Sequence, residues 1–183
     1  MPSYRRNYVG NIFFLTMVTY DRRNLFYRED ARRFLHEAID VTHRDRPWIT
    51  DAVVLMPDHI HMLWRMPEGD NDYSKRIGII KKRFTRAILA AGLDEPAVKA
   101  GQARHRLRAV WQPRFWEHTI RDAKDYRFHV DYIHMNPVYH HLVKKTWDWP
   151  YSSFRDWVAK GSYEKDWCGR LDLPGYTEYG WPD

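Results

Sequence analysis

Two histidines separated by one residue are the feature of this sequence with the most chemical content. They are His59 and His61, in the segment Met56-Pro57-Asp58-His59-Ile60-His61. Alternation along a strand places both imidazoles on one face and Ile60 on the other face, toward the core. Two imidazoles on one face can bind one divalent cation, which then needs a third ligand from elsewhere in the chain. A half-exposed strand that holds two histidines by chance would show the same pattern.

A tyrosine and an asparagine four residues apart form a second candidate group. Tyr132 and Asn136 stand near the end of a predicted helix, in the segment 131–137. Helical geometry stacks positions i and i+4, so the phenol and the carboxamide oxygen could reach one site, the first as nucleophile and the second as metal ligand. Asp125 and His129 lie on much the same side. The alternative is a core tyrosine followed by an asparagine that ends the helix.

Several strands and helices must bring these two groups together. Segments rich in β-branched and aromatic residues predict three strands, at residues 11–20, 48–56 and 59–66, with a tight turn at Pro57-Asp58 between the second and the third. A short fourth strand or extended segment is predicted at residues 110–118. Helical spacing of apolar residues predicts three helices, at residues 29–44, 73–91 and 122–135. The third helix should end at Asn136-Pro137, because a residue before proline avoids the helical conformation, although one more turn is possible.

The order of these elements predicts an α+β fold. Strand, helix, strand, strand, helix, strand is typical of a ferredoxin-like or RRM-like antiparallel sheet with helices on one face, which leaves the other face available for a ligand. We expect one domain over residues 1–146 and an aromatic-rich C-terminal tail, residues 147–183, packed on it. Residues 92–108 lack periodicity and are expected to form a loop.

Composition indicates which kinds of partner and cellular location to expect. The chain of 183 residues has a net charge of +6 and a pI near 9.4, which favours polyanionic partners. No apolar segment approaches the ~20 residues of a membrane span, and the N-terminus does not resemble a signal peptide. The single cysteine, Cys168, cannot form an internal disulfide. We therefore expect a cytoplasmic protein without a membrane partner.

Both candidate groups, together with other segments, resemble the single-tyrosine transposases of the HUH endonucleases, and within them the REP-associated tyrosine transposases. The resemblance runs from about residue 4 to residue 168. The segments that carry it occur in order along the chain: Tyr4-Arg5-Arg6, Arg44-Asp45-Arg46-Pro47, Met56-Pro57-Asp58-His59-Ile60-His61, Trp111-Gln112-Pro113-Arg114-Phe115-Trp116-Glu117-His118 and Asp131-Tyr132-Ile133-His134-Met135-Asn136-Pro137. Residues 92–108 are longer than the family leads us to expect, and no catalytic role is carried onto them.

The resemblance implies site-specific cleavage and rejoining of single-stranded DNA beside palindromic hairpins. Tyr132 would become joined to a 5′ phosphate, and a free 3′ hydroxyl would be released. His59, His61 and Asn136 would hold Mg²⁺ or Mn²⁺, with positions left open for the scissile phosphate and water. No small-molecule cofactor is expected. The partner would be single-stranded or hairpin DNA, at the nucleoid, and the protein would act as a monomer or a homodimer.

Basic side chains are expected to follow the DNA backbone. The candidates are Arg5, Arg6, Lys75, Arg76, Lys81, Lys82, Arg83 and Arg86, with Arg114 nearer the site. A solvated helix face explains the cluster in the second helix almost equally well. His118 and His129 are candidates for active-site support, although His118 could equally be a structural hydrogen-bonding histidine.

Two other functions remain open at this point. One is a hairpin-binding protein, descended from a transposase, that recognises nucleic acid with an RRM-like sheet but cuts nothing. The other is a metal-dependent hydrolase in which water, rather than Tyr132, attacks the phosphate. A covalent adduct between protein and oligonucleotide would distinguish the hydrolase from the tyrosine enzyme.

Overall fold

A four-stranded antiparallel sheet forms the centre of the fold. The structure is a computed structural model that describes residues 10–98 and 108–168. The strands are β1 (Ile12–Val18), β2 (Ile49–Leu55), β3 (His59–Arg65) and β4 (Trp116–Thr119), in the spatial order β2-β3-β1-β4. The helices are α1 (Glu29–Asp45), α2 (Tyr73–Ala90), α3 (Ala123–Tyr139) and the short α4 (Phe154–Ala159). This order of elements and strands confirms the predicted ferredoxin-like α+β fold.

Some predictions fall outside the described residues. Arg5, Arg6, the middle of the loop at residues 92–108 and the end of the tail are among them. Within the described part of the loop, Arg108 forms an ion pair with Glu95, which also accepts a hydrogen bond from the backbone N–H of Ala109. The described ends of the loop contain no helix or strand, as expected.

One face of the sheet is covered by α1 and α2. Phe13, Leu15 and Met17 of β1 point toward these helices, as do Ile60, Met62 and Trp64 of β3. They pack against apolar residues of the helices such as Leu35, Ile77, Ile80 and Phe84. Most of the apolar core lies in this layer, so helices α1 and α2 fix the sheet without contributing to its other face.

The other face of the sheet, predicted to stay open, is covered by α3. Phe14 of β1 and Leu63 of β3 pack there against Val130 and Ile133 of α3. β1 is buried along almost its whole length on both faces, which requires an apolar partner on each side. The face that carries the histidines is therefore a helix-covered site and not an exposed sheet surface.

Helix α3 begins at a well-formed cap and continues past the predicted stop. The Asp122 side chain accepts a hydrogen bond of 2.8 Å from the backbone N–H of Asp125. The helix does not close at Asn136-Pro137; it carries the further turn that the sequence left open, with Pro137 inside it. Hydrogen bonds from the backbone N–H of His140 to Asn136 O and of Leu142 to Pro137 O complete the last turn. Asn136 is thus held by regular helix on both sides.

The fourth strand is shorter than predicted. Only residues Trp116–Thr119 pair with β1, and Trp111 forms an isolated bridge with Thr19. The backbone N–H of Gln112 still donates to Val18 O, but residues 113–115, which begin with a proline that cannot donate to a strand ladder, run on to β4 without regular pairing.

The segment after α3 packs along the free edge of β2. The indole N–H of Trp149 donates to Leu55 O, and that of Trp157 donates to Asp51 O. Phe154 is fully buried against the layer that contains α3. These contacts cover an edge strand that would otherwise expose unpaired backbone groups. Among the described residues, no helix has the length and apolar character that a membrane crossing requires.

Candidate active site

The two histidines of β3 lie side by side beneath α3. Their ring centroids are 4.6 Å apart, and both side chains are buried. Ile60 between them points into the core with α1 and α2, so the predicted alternation along the strand is confirmed. Antiparallel pairing places Thr16 of β1 directly opposite His61.

A hydrogen bond fixes one nitrogen of each imidazole. His59 Nδ1 lies 2.6 Å from Asp58 Oδ1, and His61 Nδ1 lies 2.7 Å from Thr16 Oγ1. A carboxylate can only accept, so His59 Nδ1 donates to it and the neutral ring has its lone pair on Nε2. Metal-binding histidines are commonly oriented in this way, by a partner on the nitrogen that does not face the metal.

Asn136 approaches the same site from α3. Its Oδ1 lies 3.3 Å from His59 Nε2. Since His59 Nδ1 donates to Asp58, the lone pair on Nε2 of the neutral ring and a lone pair of Asn136 Oδ1 face the same small space. Two adjacent octahedral ligands at ~2.1 Å from a shared cation lie roughly 3 Å apart, which is close to the observed separation. Two imidazoles and an amide oxygen therefore fit a divalent cation.

Tyr132 completes the group. It lies one helical turn before Asn136 on the face of α3 that meets the sheet, and 5% of its surface is exposed. Its ring centroid is 5.2 Å from that of His61 and 5.9 Å from that of Phe14. The tyrosine, the asparagine and both histidines, predicted from separate segments, meet at one place in the fold.

Burial keeps His61 in the form that can bind a metal. Loss of solvent lowers the pKa of His61 well below its usual value, and the nearby charges of His59, His140 and Arg22 act in the same direction. Burial acts to raise the pKa of Asp58, but the hydrogen bond from His59 and the charge of Arg22 outweigh it and leave that pKa lower than usual. The site therefore has an ionised carboxylate at Asp58 and a neutral imidazole at His61.

A second polar group lies on the other side of Phe14. The Phe14 ring is 5.3 Å from that of His61 and 4.9 Å from that of His129. His118 Nε2 donates to Asp125 Oδ2 at 2.8 Å, and His129 Nδ1 donates to the backbone oxygen of Asp125 at 2.7 Å. One possible ligand atom from each of these three residues falls within 4.8 Å of the others, as a metal group would require. The His118–Asp125 bond also ties β4 to the first turn of α3, and the His129–Asp125 bond lies within α3.

Comparison with known proteins identifies the family. Residues 10–136 match the family described as transposase IS200 like. The chain is 44% identical over 170 residues to the REP-associated tyrosine transposase of Escherichia coli strain K12, with 92% of both chains covered.

This chain belongs to the IS200-like transposase family.

Two further comparisons extend this result. The chain is 39% identical over 174 residues to a Haemophilus influenzae protein to which the same name is given provisionally, with 94% of this chain and 97% of that protein covered. A solved structure of a REP-associated tyrosine transposase bound to a REP hairpin has 40% sequence identity, a TM-score of 0.74 and 94% coverage of each chain. The resemblance stated from the sequence is confirmed, and a divalent metal is in keeping with this family.

The predicted DNA-binding residues of α2 differ in their surroundings. Lys75, Lys82, Arg83 and Arg86 are exposed, as is Arg114 in the segment before β4. Lys81 instead donates to Gln112 O at 2.9 Å, and burial lowers its pKa to about 8. α2 lies on the face of the sheet opposite the histidines. The exposed residues remain candidates for DNA contacts away from Tyr132.

Arg76 does not lie where the sequence placed it. It is 2% exposed, and its guanidinium donates to both oxygens of Asp70, at 3.1 and 2.7 Å. It also donates to Arg46 O and Pro47 O. A residue engaged in this way holds the start of α2 to the end of α1, and a contact with the DNA backbone is not available to it.

Sequence reasoning missed the residues that orient the histidines. Asp58 could have been found, because a carboxylate directly before a candidate ligand histidine is a common second partner. Thr16 depends on the register between β1 and β3, which no local pattern reveals. Arg22, whose Nη1 lies 3.2 Å from Asp58 Oδ2, comes from a turn far from the motif in sequence.

We predict that Arg76→Ala destabilises the protein strongly and that Lys75→Ala has almost no effect on stability. Removal of Arg76 leaves Asp70 without its ion pair and two backbone oxygens without a donor, and should lower the free energy of unfolding by about 3 kcal/mol. Lys75→Ala should change stability by less than about 0.5 kcal/mol, since it is exposed. Urea denaturation measures both. Unchanged stability in Arg76→Ala would contradict the structural role.

We predict that His129 contributes to loss of stability in acid. Burial lowers its pKa to about 4, from an ordinary 6.5. The unfolded chain therefore takes up a proton that the folded chain refuses, and the stabilisation present above pH 6.5 is lost as the pH falls toward 4. In His129→Gln the unfolding free energy should fall less steeply in this window, by up to ~1.4 kcal/mol per pH unit. The exposed His36→Gln variant serves as the control, and identical slopes in wild type and His129→Gln would refute the assignment.

Proposed function

We propose that this chain is a divalent-metal-dependent single-strand DNA endonuclease and strand transferase that uses Tyr132 as its nucleophile. The observation that carries the proposal is the convergence of Tyr132, His59, His61 and Asn136, with the tyrosine ring 5.2 Å from that of His61. A binding-only protein would have no use for a phenol placed beside two oriented imidazoles and an amide oxygen.

His59, His61 and Asn136 are the residues that would hold the cation. We expect Mg²⁺ or Mn²⁺, because three neutral nitrogen and oxygen ligands leave positions for phosphate and water, whereas a structural zinc site is closed by four protein ligands. A bound divalent cation would neutralise charge on the phosphate oxygens and make the phosphorus more electrophilic. Asp58 and Thr16 would keep the two imidazoles in orientation while substrate binds.

Tyr132 would perform the cleavage step. Its phenol oxygen forms a bond to phosphorus while the bond from phosphorus to the 3′ oxygen breaks. The phenol loses its proton, and the departing 3′ oxygen takes up a proton to become a hydroxyl. The product is a 5′-phosphotyrosine ester, so one phosphate ester bond has replaced another and none has been hydrolysed. A DNA 3′ hydroxyl can therefore attack the ester in reverse and join two strands without ATP.

Hairpin DNA is the proposed substrate. The solved relative, which covers 94% of this chain, is bound to a REP hairpin. Lys75, Lys82, Arg83 and Arg86 project from the layer of α1 and α2, away from the Tyr132 face. We propose that they contact the backbone of the stem while the single-stranded part reaches Tyr132.

Tyr132→Phe should abolish formation of the covalent adduct while leaving hairpin affinity within about twofold, because only the nucleophilic oxygen is removed. The measurement is incubation with labelled single-stranded hairpin DNA and Mn²⁺, followed by a denaturing gel. Tyr126→Phe, in the same helix, is the matched control and should retain the adduct. Cleavage without any adduct in wild type would favour attack by water, and cleavage by Tyr132→Phe would exclude this tyrosine as the nucleophile.

Removal of the metal or of either histidine should stop cleavage. We expect His59→Ala and His61→Ala each to reduce the cleavage rate by at least about 100-fold, as is found when an essential electrostatic group is lost. Chelation with EDTA should do the same to wild type, and excess Mn²⁺ should restore it. His36→Ala, an exposed histidine in α1, should cut normally. Undiminished cleavage in EDTA would show that the proposed metal role is wrong.

A further inference from the structure

A strained turn lies directly beside the candidate active site. Asp21 and Arg22 follow β1, and both have φ of +50°. This left-handed conformation is unfavourable for residues other than glycine, and two such residues in succession are rarer still. Strain of this kind persists only where surrounding contacts hold it, and it is concentrated at functional sites.

The turn is joined to the residues just before His59. Backbone hydrogen bonds run from the N–H of Thr19 to Asp58 O at 2.8 Å and from the N–H of Phe26 to Pro57 O at 2.9 Å. Arg22 Nη1 donates to Asp58 Oδ2 at 3.2 Å. The other carboxylate oxygen, Oδ1, accepts from His59 Nδ1 at 2.6 Å. Arg22, Asp58 and His59 therefore form a continuous chain of contacts that ends at His59 Nε2.

We propose that Arg22 and Asp58 are positioning residues that set the affinity of the His59, His61 and Asn136 site for its divalent cation. This inference rests on the proposed function and assigns it two residues that do not touch the cation. Asp58 fixes the His59 ring and increases the electron density on Nε2, as a carboxylate behind a metal-binding histidine does. Arg22 holds the Asp58 carboxylate in the orientation in which it accepts the hydrogen bond from His59. The left-handed turn directs the Arg22 side chain toward Asp58.

The effect of Arg22 on the cation has a diagnostic sign. Its guanidinium lies 3.2 Å from the carboxylate that orients His59, so its positive charge lies close to the site. As a charge alone, Arg22 would repel a divalent cation, and its removal would strengthen binding. As a positioning residue, it keeps Asp58 aligned, and its removal weakens binding. The direction of the change in Arg22→Ala therefore separates the two roles.

The test is the affinity of the full chain for Mn²⁺ alone, measured by electron paramagnetic resonance of free Mn²⁺ in titrations without DNA. Asp58→Asn keeps the size of the side chain but loses its charge, and should weaken Mn²⁺ binding at least about tenfold. Arg22→Ala should weaken it by a smaller factor, on the order of threefold, and Arg22→Lys should lie between Arg22→Ala and wild type. Cleavage by Asp58→Asn should recover as Mn²⁺ is raised, since the nucleophile and ligands are intact.

Arg65→Ala is the matched control. Arg65 and Asp51 form an ion pair of 2.6 Å whose side chains are 38% and 11% exposed, close to the 33% and 16% of Arg22 and Asp58. Arg65→Ala should leave Mn²⁺ affinity unchanged. The thermal unfolding midpoint of each variant shows whether a loss of Mn²⁺ binding comes only from a loss of folded protein. Asp58→Asn keeps the shape of the side chain and so provides a variant that is expected to fold.

Each outcome decides the inference. Unchanged Mn²⁺ affinity in Asp58→Asn, or tighter binding in Arg22→Ala, would overturn it while leaving the proposed function intact, provided that His59→Ala abolishes binding. If His59→Ala binds Mn²⁺ as wild type does, the cation is held elsewhere, and both the proposed site and this inference are overturned.

Discussion

The packing of α3 across the histidine face of the sheet is the constraint on which the rest of the site depends. β3 alone supplies two imidazoles, and α3 alone supplies a phenol and an amide. Contacts of Phe14 with both His61 and Tyr132, and apolar contacts of Val130 and Ile133 with the sheet, bring the two elements together. Because the groups that hold α3 are mostly apolar, the site is assembled by the same burial that stabilises the fold.

The two faces of the sheet have different roles. One face, with α1 and α2, contains most of the core and presents basic side chains to solvent on its outer surface. The other face holds the polar groups, each oriented by a neighbour: Thr16 for His61, Asp58 for His59, and Asp125 for His118. A site built on central strands and one long helix is held more rigidly than one built on loops, which suits the in-line reaction that we propose.

Local patterns in the sequence predicted the fold and the candidate residues that converge in it, but not the surroundings of those residues. Alternation in β3 and the spacing of Tyr132 and Asn136 are properties of single elements, and both were found in the structure. The position of α3 was missed, although adjacent aromatic residues such as Phe13 and Phe14 signal a strand covered on both faces. Thr16, Arg22 and the burial of Arg76 depend on tertiary contacts between distant segments, and no local pattern contains that information.

The most direct test of the account measures the distance between the phenol and the cation. 3-Fluorotyrosine placed at position 132 reports, by ¹⁹F NMR, whether Mn²⁺ binds beside it, with the label at the exposed Tyr27 as reference. If the phenol and the histidines share a cation, substoichiometric Mn²⁺ broadens the signal at position 132 far more than that at position 27, and His59→Ala removes the difference. Equal broadening at both positions would contradict the central claim.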